Sequence, residues 1–89
     1  RETDMSFANY VNAEKIFNDA RDNKDVMSKS DLIAAAKKIA ACIRSNENHA
    51  NEYVNRSGAF AASQLDMCDQ FRDRMYAMYN NVDAMIAAK

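Results

Sequence analysis

Apolar or small residues recur from Ile33 to Met85 at two positions of a seven-residue repeat, and no proline interrupts them. One register contains Ile33, Ala40, Glu47, Val54, Ala61, Cys68, Met75 and Val82, and the companion register contains Ala36, Ile43, Ala50, Ser57, Gln64, Phe71, Met78 and Met85. This pattern is typical of one long helix, or of two nearly continuous helices, with a single apolar seam. The phase is the same on both sides of the polar stretch 45–49 and of Gly58. It therefore favours a continuous or gently bent helix over about 31–88.

A short helix and a loop are predicted ahead of the long helix. The helix covers about 4–20, because its apolar stripe has helical spacing and Thr3 or Ser6 can cap its first turn. The stripe consists of Phe7, Tyr10, Ala13, Phe17 and Ala20. Residues 21–29 are charged and lack periodicity, which predicts a loop. Ser28 and Asp31 then have the spacing of a capping box, which marks the start of the next helix.

The predicted fold is therefore all-α, with residues 1–89 forming a single helical module of short helix, loop and very long helix. A helix over 31–88 would be about 85 Å long, more than the first helix can cover. Its seam is expected to pack against a partner or a second copy of the chain. The alternative is a three-helix bundle with breaks near 45–49 or Gly58, of the kind found in cytoskeletal adaptors. The segment LIAAAKKIAA is similar to their alanine-rich helices in composition only.

Composition agrees with helices and excludes several classes of protein. The chain has 48% apolar residues, one glycine and no proline, so tight hairpins have few suitable residues. Its net charge of −1 provides no overall attraction to nucleic acid or to anionic membranes. Cys42 and Cys68 have neither zinc-site nor disulfide-scaffold spacing, which indicates a reducing, intracellular setting. No apolar run is long enough to span a bilayer, and the polar start is not a signal peptide.

The C-terminal part of the seam is the strongest candidate for binding a partner. Methionines are concentrated there, and their flexible, polarizable side chains suit adaptable interfaces, although an ordinary bundle core has the same pattern. The candidate partner-binding residues are Cys68, Phe71, Met75, Met78, Val82 and Met85. Tyr76 and Tyr79 lie beside this seam and are of a type enriched at interfaces.

Four basic residues are candidates for weak contact with an RNA backbone: Lys37, Lys38, Arg44 and Arg56. A solvated helix face is the simpler interpretation. Asp66, Asp69 and Asp73 alternate with arginines at spacings that favour ion pairs on a helix surface. His49, the single histidine, is expected to be exposed and has no triad or metal partner at a diagnostic spacing. The sequence therefore predicts no enzyme, no cofactor and no metal site.

Two passages resemble a known family. Phe7–Phe17 (FANYVNAEKIF) matches its aromatic and small positions at Phe7, Ala8, Tyr10, Ala13, Ile16 and Phe17. The run from Val54 to Tyr76 matches at Arg56, Met67, Asp69, Gln70, Met75 and Tyr76, and Asn48 and Ala50 also align without a gap. These passages are similar to the N-terminal helical arm of non-structural protein eight of coronaviruses and related nidoviruses. Arg56 lacks the acidic neighbours of that family, Gly58 interrupts the helix, and lysines are fewer.

The resemblance implies a non-catalytic processivity cofactor of a viral RNA-dependent RNA polymerase, located in the host cytoplasm as part of a replicase. In that role the methionine-rich seam would bind the polymerase or a small helical co-subunit. The long helix would guide double-stranded RNA through weak phosphate contacts. The alternative function is a helical-bundle protein–protein interaction or scaffold module of the cytoskeletal-adaptor type. The two alternatives differ in shape, since the arm is elongated or oligomeric whereas the bundle is a compact monomer.

Overall fold

The computed structural model describes residues 5–89, which form three helices and no strand. Helix α1 spans Met5–Asn23, α2 spans Lys29–Asn51 and α3 spans Ala59–Ala87. The three pack against one another in up-down-up order, so α1 and α3 are parallel and α2 is antiparallel to both. The all-α prediction is confirmed and the arrangement fits the three-helix alternative. The very long helix over 31–88 is wrong.

The connection between α1 and α2 is shorter than the predicted loop. Helix α1 continues to Asn23, whose side-chain amide donates to the carbonyl of Asp19, and a turn then follows. Ser28 caps α2 as expected, since its Oγ accepts from the Asp31 amide at 3.0 Å while the Asp31 carboxylate accepts from the Ser28 amide. Ser6 does not cap α1; it lies inside the helix and is buried. Thr3 lies outside the described residues.

Helices α2 and α3 are separated by the turn 52–58. Helix α2 ends at Asn51, and Gly58 immediately precedes α3 with a φ of 104°, a conformation that L side chains rarely adopt. Tyr53 folds back into the core with 1% of its surface exposed, and its ring meets His49 and Phe60 at edge-on angles. The burial of Tyr53 and the conformation of Gly58 together explain why the chain bends back here.

The core follows a heptad pattern on each helix, but on α2 one of the two predicted registers is displaced by one residue. Helix α3 buries Ala61, Gln64, Cys68, Met75, Met78 and Val82, all of which belong to the two predicted registers. On helix α2 the first register is displaced, since Leu32, Ile39 and Asn46 are buried while Ile33 and Glu47 are exposed. Ala36 and Ile43 of the companion register are buried as predicted. The turn therefore changes the phase of the first register by one residue between α2 and α3.

Candidate protein-interaction surface

Most of the predicted partner-binding residues lie inside the bundle. Met75 and Val82 are fully buried, Cys68 is 1% exposed and Met78 is 9% exposed. Phe71 and Met85 are partly buried at the edge of the same core. Small residues of α1 and the alanine-rich face of α2 cover this stripe, notably Ala13, Ala20, Ala35 and Ala36. In the folded bundle a partner reaches Met75 or Val82 only if a helix first moves away.

The four candidate RNA-binding residues are all exposed but lie in different places. Lys38 borders the groove between α1 and α2, beside Ile16. Arg44 borders the groove between α2 and α3, beside Tyr76 and Tyr79. Arg56 lies in the turn with its guanidinium carbon 5.0 Å from the centre of the Tyr53 ring. Lys37 is exposed on α2.

An aromatic cluster lies where α1 and α3 meet near the start of α1. The rings of Tyr10 and Phe71 stack with centroids 4.8 Å apart, and Phe7 meets Phe71 at 6.0 Å. The Arg74 guanidinium carbon is 5.8 Å from the Tyr10 centroid and 5.9 Å from the Phe71 centroid. Val11 follows Phe7 by one helical turn. We call Phe7, Tyr10, Val11, Phe71 and Arg74 the α1–α3 aromatic surface.

Two members of this surface are strongly exposed. Phe7 is 53% exposed and Val11 is 41% exposed, whereas Tyr10 and Phe71 are partly buried against the core. Phe7 was expected in the apolar stripe of the first helix, but Ser6 takes the inward position instead. The signal that identifies this choice is the seven-residue spacing of Ser6, Ala13 and Ala20, which are the buried residues of α1. Small residues there let the three helices approach closely, and they direct Phe7 outward.

A polar layer crosses the core at the same end of the bundle. The Ser6 hydroxyl and the Cys68 thiol are 2.8 Å apart, and Asn46 Nδ2 donates to the Cys68 carbonyl at 3.0 Å. His49 and Gln64 continue the polar character toward the turn and are 2% and 4% exposed. The sequence-based expectation of an exposed His49 is therefore wrong. It is buried because Tyr53 packs against its ring and the turn closes over both.

Several polar atoms of this layer have no hydrogen-bond partner among residues 5–89. They are Asn9 Nδ2, Asn46 Oδ1, His49 Nε2 and Gln64 Oε1. Leaving a buried polar group unpaired costs about 1–3 kcal/mol, so this layer weakens the bundle relative to an apolar one. A single polar residue in a heptad core is known to fix register, because shifted pairings bury it against apolar neighbours.

The perturbed pKa values among residues 5–89 belong to Cys42 and Arg72. Residues 5–89 bring together no set of three His, Cys, Asp or Glu side chains that could hold a metal ion. Burial raises the pKa of the Cys42 thiol, which disfavours its nucleophilic thiolate form. A hydrogen bond with Asp73 raises the pKa of the Arg72 guanidinium, which Asp69 also pairs with at 3.2 Å. The predicted surface ion pairs are present in part, because Arg72 pairs with Asp69 and Asp73 whereas Asp66 accepts a hydrogen bond from Gln70.

Comparison with protein-family models, with curated proteins and with solved structures found no match to this chain. The resemblance to the coronavirus helical arm therefore stays a prediction. None of the helices within residues 5–89 has the combination of length and apolar character that is needed to cross a membrane.

Proposed function

We propose that this chain is a non-catalytic protein–protein interaction module of the helical-bundle type, which docks a partner on its α1–α3 aromatic surface. The observation that carries the proposal is the exposure of Phe7 beside stacked aromatic rings. In this proposal the methionine-rich seam forms the core of the bundle and does not contact the partner. A partner can therefore bind while the bundle stays closed.

The composition of the surface supports this role. Aromatic residues and arginine are enriched among the residues that dominate binding energy at interfaces. Phe7 exposes about half of its surface, and its ring contacts that of Phe71 with centroids 6.0 Å apart. A prepositioned aromatic anchor loses little side-chain freedom when it binds, so more of its burial energy contributes to affinity.

The polymerase-cofactor role, with RNA and a co-subunit as partners in the host cytoplasm, stays a prediction from the resemblance. In that role the partner would contact Met75 and Val82, which α1 and α2 already cover. Binding would then have to supply the free energy that opens the bundle. The module proposal needs no such opening and is the one that the exposed surface supports.

The test is a selection of binders followed by matched substitutions. Helical peptides displayed as a library are selected on the whole chain, and the affinities of the selected peptides are measured by biolayer interferometry. Phe7→Ser should weaken binding at least about tenfold, as expected for a central anchor. Phe60→Ser is the control, because Phe60 is 56% exposed but lies beside Tyr53 near the turn.

Thermal melts followed by circular dichroism verify that both variants are folded. Binders that tolerate Phe7→Ser, or that lose equal affinity on both variants, would contradict docking on the α1–α3 aromatic surface. The seam-based alternative predicts a different result, in which α1 separates from the bundle and the binder then protects Met75 from oxidation.

A further inference from the structure

The turn between α2 and α3 keeps much of the geometry of a helix. The amides of Glu52, Tyr53 and Arg56 each donate to the carbonyl three residues earlier, at 3.1, 2.9 and 3.1 Å. Glu52 also has right-handed helical angles, and the segment 52–58 contains no proline. Gly58 departs from this path with its φ of 104°, but glycine adopts negative φ values equally well. A change near Gly58 can therefore join the two helices.

Helix α3 would gain hydrogen bonds if it were joined to α2. It begins at Ala59 without a side-chain cap among residues 5–89, whereas α2 begins with the capping box of Ser28 and Asp31. The first amides of a helix have no partner within that helix. In a joined helix these amides donate to carbonyls of the preceding turn.

The buried stripes of α2 and α3 share one heptad position across the turn. Ala36 and Ile43 of α2 are separated by multiples of seven residues from Gln64 and Met78 of α3, and all four are buried. The other stripe position is displaced by one residue between the helices. On a joined helix the two stripes therefore face the same side. A turn that only reverses the chain does not require this agreement.

Val54 occupies a core position of the α3 repeat but is not covered. It precedes Ala61 by seven residues, and Ala61, Cys68, Met75 and Val82 are all buried at this heptad position. Val54 is nevertheless 57% exposed, because it lies in the turn. A second helix running past a joined turn would cover this side chain.

We propose that two copies of this chain exchange α3 and form a domain-swapped dimer, in which α2 and α3 of each copy are joined as one helix. The joined helices run antiparallel, so α3 of each copy packs on α1 and α2 of the other. Contacts within each bundle are kept, including the hydrogen bond from Asn46 to the Cys68 carbonyl, which now links two copies. The new contacts lie between the two joined turns, at Val54.

This inference goes beyond the proposed function, because it concerns assembly of the chain. In the dimer Tyr10 of one copy stacks on Phe71 of the other, so each α1–α3 aromatic surface is built from both chains. Exchange requires α3 to leave its bundle, and the folded monomer therefore stays a monomer until it unfolds. The dimer forms when chains refold together at high concentration.

Refolding from urea at about 10 µM and at about 1 mM tests the exchange. Size-exclusion chromatography with light scattering measures the dimer fraction. We expect the dimer only after refolding at the higher concentration, and the isolated dimer should persist on dilution. Amide hydrogen exchange should show greater protection over residues 57–60 in the dimer than in the monomer, because these amides become part of a continuous helix.

Val54→Asp separates the exchange from the stability of the monomer. Because Val54 is exposed in the monomer, the urea midpoint should not change, whereas two carboxylates covered between the joined turns should lower the dimer fraction about fivefold or more. Val26→Asp is the matched control, since Val26 is 84% exposed in the turn between α1 and α2. It should change neither quantity.

Three results would overturn the proposal. The first is a monomer after refolding at both concentrations. The second is a dimer without added protection over residues 57–60, or one that forms from folded monomer on concentration alone, because either describes association through a surface. The third is an equal loss of dimer in both valine variants. Phe7-dependent binding is measured on the monomer, so these results leave the proposed function standing.

Discussion

Asn46 on α2 donates through Nδ2 to the main-chain carbonyl of Cys68 on α3, at 3.0 Å. The contact joins two helices across a core position, while Asn46 Oδ1 has no hydrogen-bond partner among residues 5–89. Asn46→Asp places an acceptor against this carbonyl and buries a charge. We expect it to lower the free energy of unfolding by more than about 2 kcal/mol at neutral pH.

The matched change Asn46→Leu removes both the hydrogen bond and the unpaired oxygen. Because an apolar replacement of similar volume avoids the desolvation cost, we expect the stability to stay within about 1 kcal/mol of the unaltered chain. Urea denaturation measures both variants. Equal stability of the Asn46→Asp and Asn46→Leu variants would show that the polar layer is open to water.

Gly58 should resist substitution although space is available around it. A Cβ at this position would meet no atom within 4 Å, so any cost comes from the backbone φ of 104°. We expect Gly58→Ala to destabilise the bundle by about 1 kcal/mol or more, with Ser57→Ala as a control near zero. Urea denaturation at fixed pH gives both values. If Gly58→Ala proves as stable as its control, the turn readily adopts another conformation.

The two cysteines should differ in reactivity. Burial raises the pKa of Cys42, so its thiolate fraction at pH 8 is smaller than that of a free thiol, and its alkylation by iodoacetamide should be slower and rise with pH. Because the folded state favours the protonated thiol, Cys42 contributes to the stability of the fold at pH values below the pKa of the thiol in the unfolded chain. This contribution is lost as pH rises through the higher pKa of the thiol in the folded chain. Cys68 is 1% exposed and should react only after unfolding. Mass spectrometry of partly labelled protein distinguishes the two sites.

Neighbouring side chains on α3 should differ sharply in their contribution to stability. Met75 is fully buried, so Met75→Ala should cost about 2–4 kcal/mol through lost burial and a residual cavity. Tyr76 is 43% exposed, and Tyr76→Ala should cost less than about 1 kcal/mol. Similar costs for both would mean that α3 is rotated from the orientation described. Thermal and urea unfolding provide the comparison.

The core of α3 was predictable because its heptad positions are unambiguous. Met75 follows Arg74, and Val82 lies between Asn81 and Asp83, so a one-residue shift of the buried stripe would bury charged or polar side chains. Helix α2 is different, since LIAAA and IAACI provide apolar residues in two adjacent phases. The structure buries residues of both phases, with Leu32 and Ile39 from one and Ala36 and Ile43 from the other. Gly58 and Tyr53 belong to the turn that changes the phase between the two helices, and the heptad pattern does not predict this turn.

The α1–α3 aromatic surface was harder to predict because it depends on tertiary packing. An apolar stripe through Phe7 and Tyr10 is equally compatible with either residue facing inward. The structure makes Ser6 the inward residue, since the parallel α3 helix presents the Cys68 thiol at that level. His49 was misplaced for the same reason. A polar residue on a polar stretch was buried by a turn that local patterning does not specify.

Small-angle X-ray scattering of the isolated chain tests the central claim most directly, namely that three helices cover the methionine-rich seam themselves. The Cα atoms of the bundle have a radius of gyration of 14.5 Å. We expect a monomer with a value close to this at all concentrations measured. A helix over 31–88 would be a rod about 85 Å long with a radius of gyration of about 25 Å. A radius of gyration near that of the rod would contradict the bundle and would indicate that the seam is exposed.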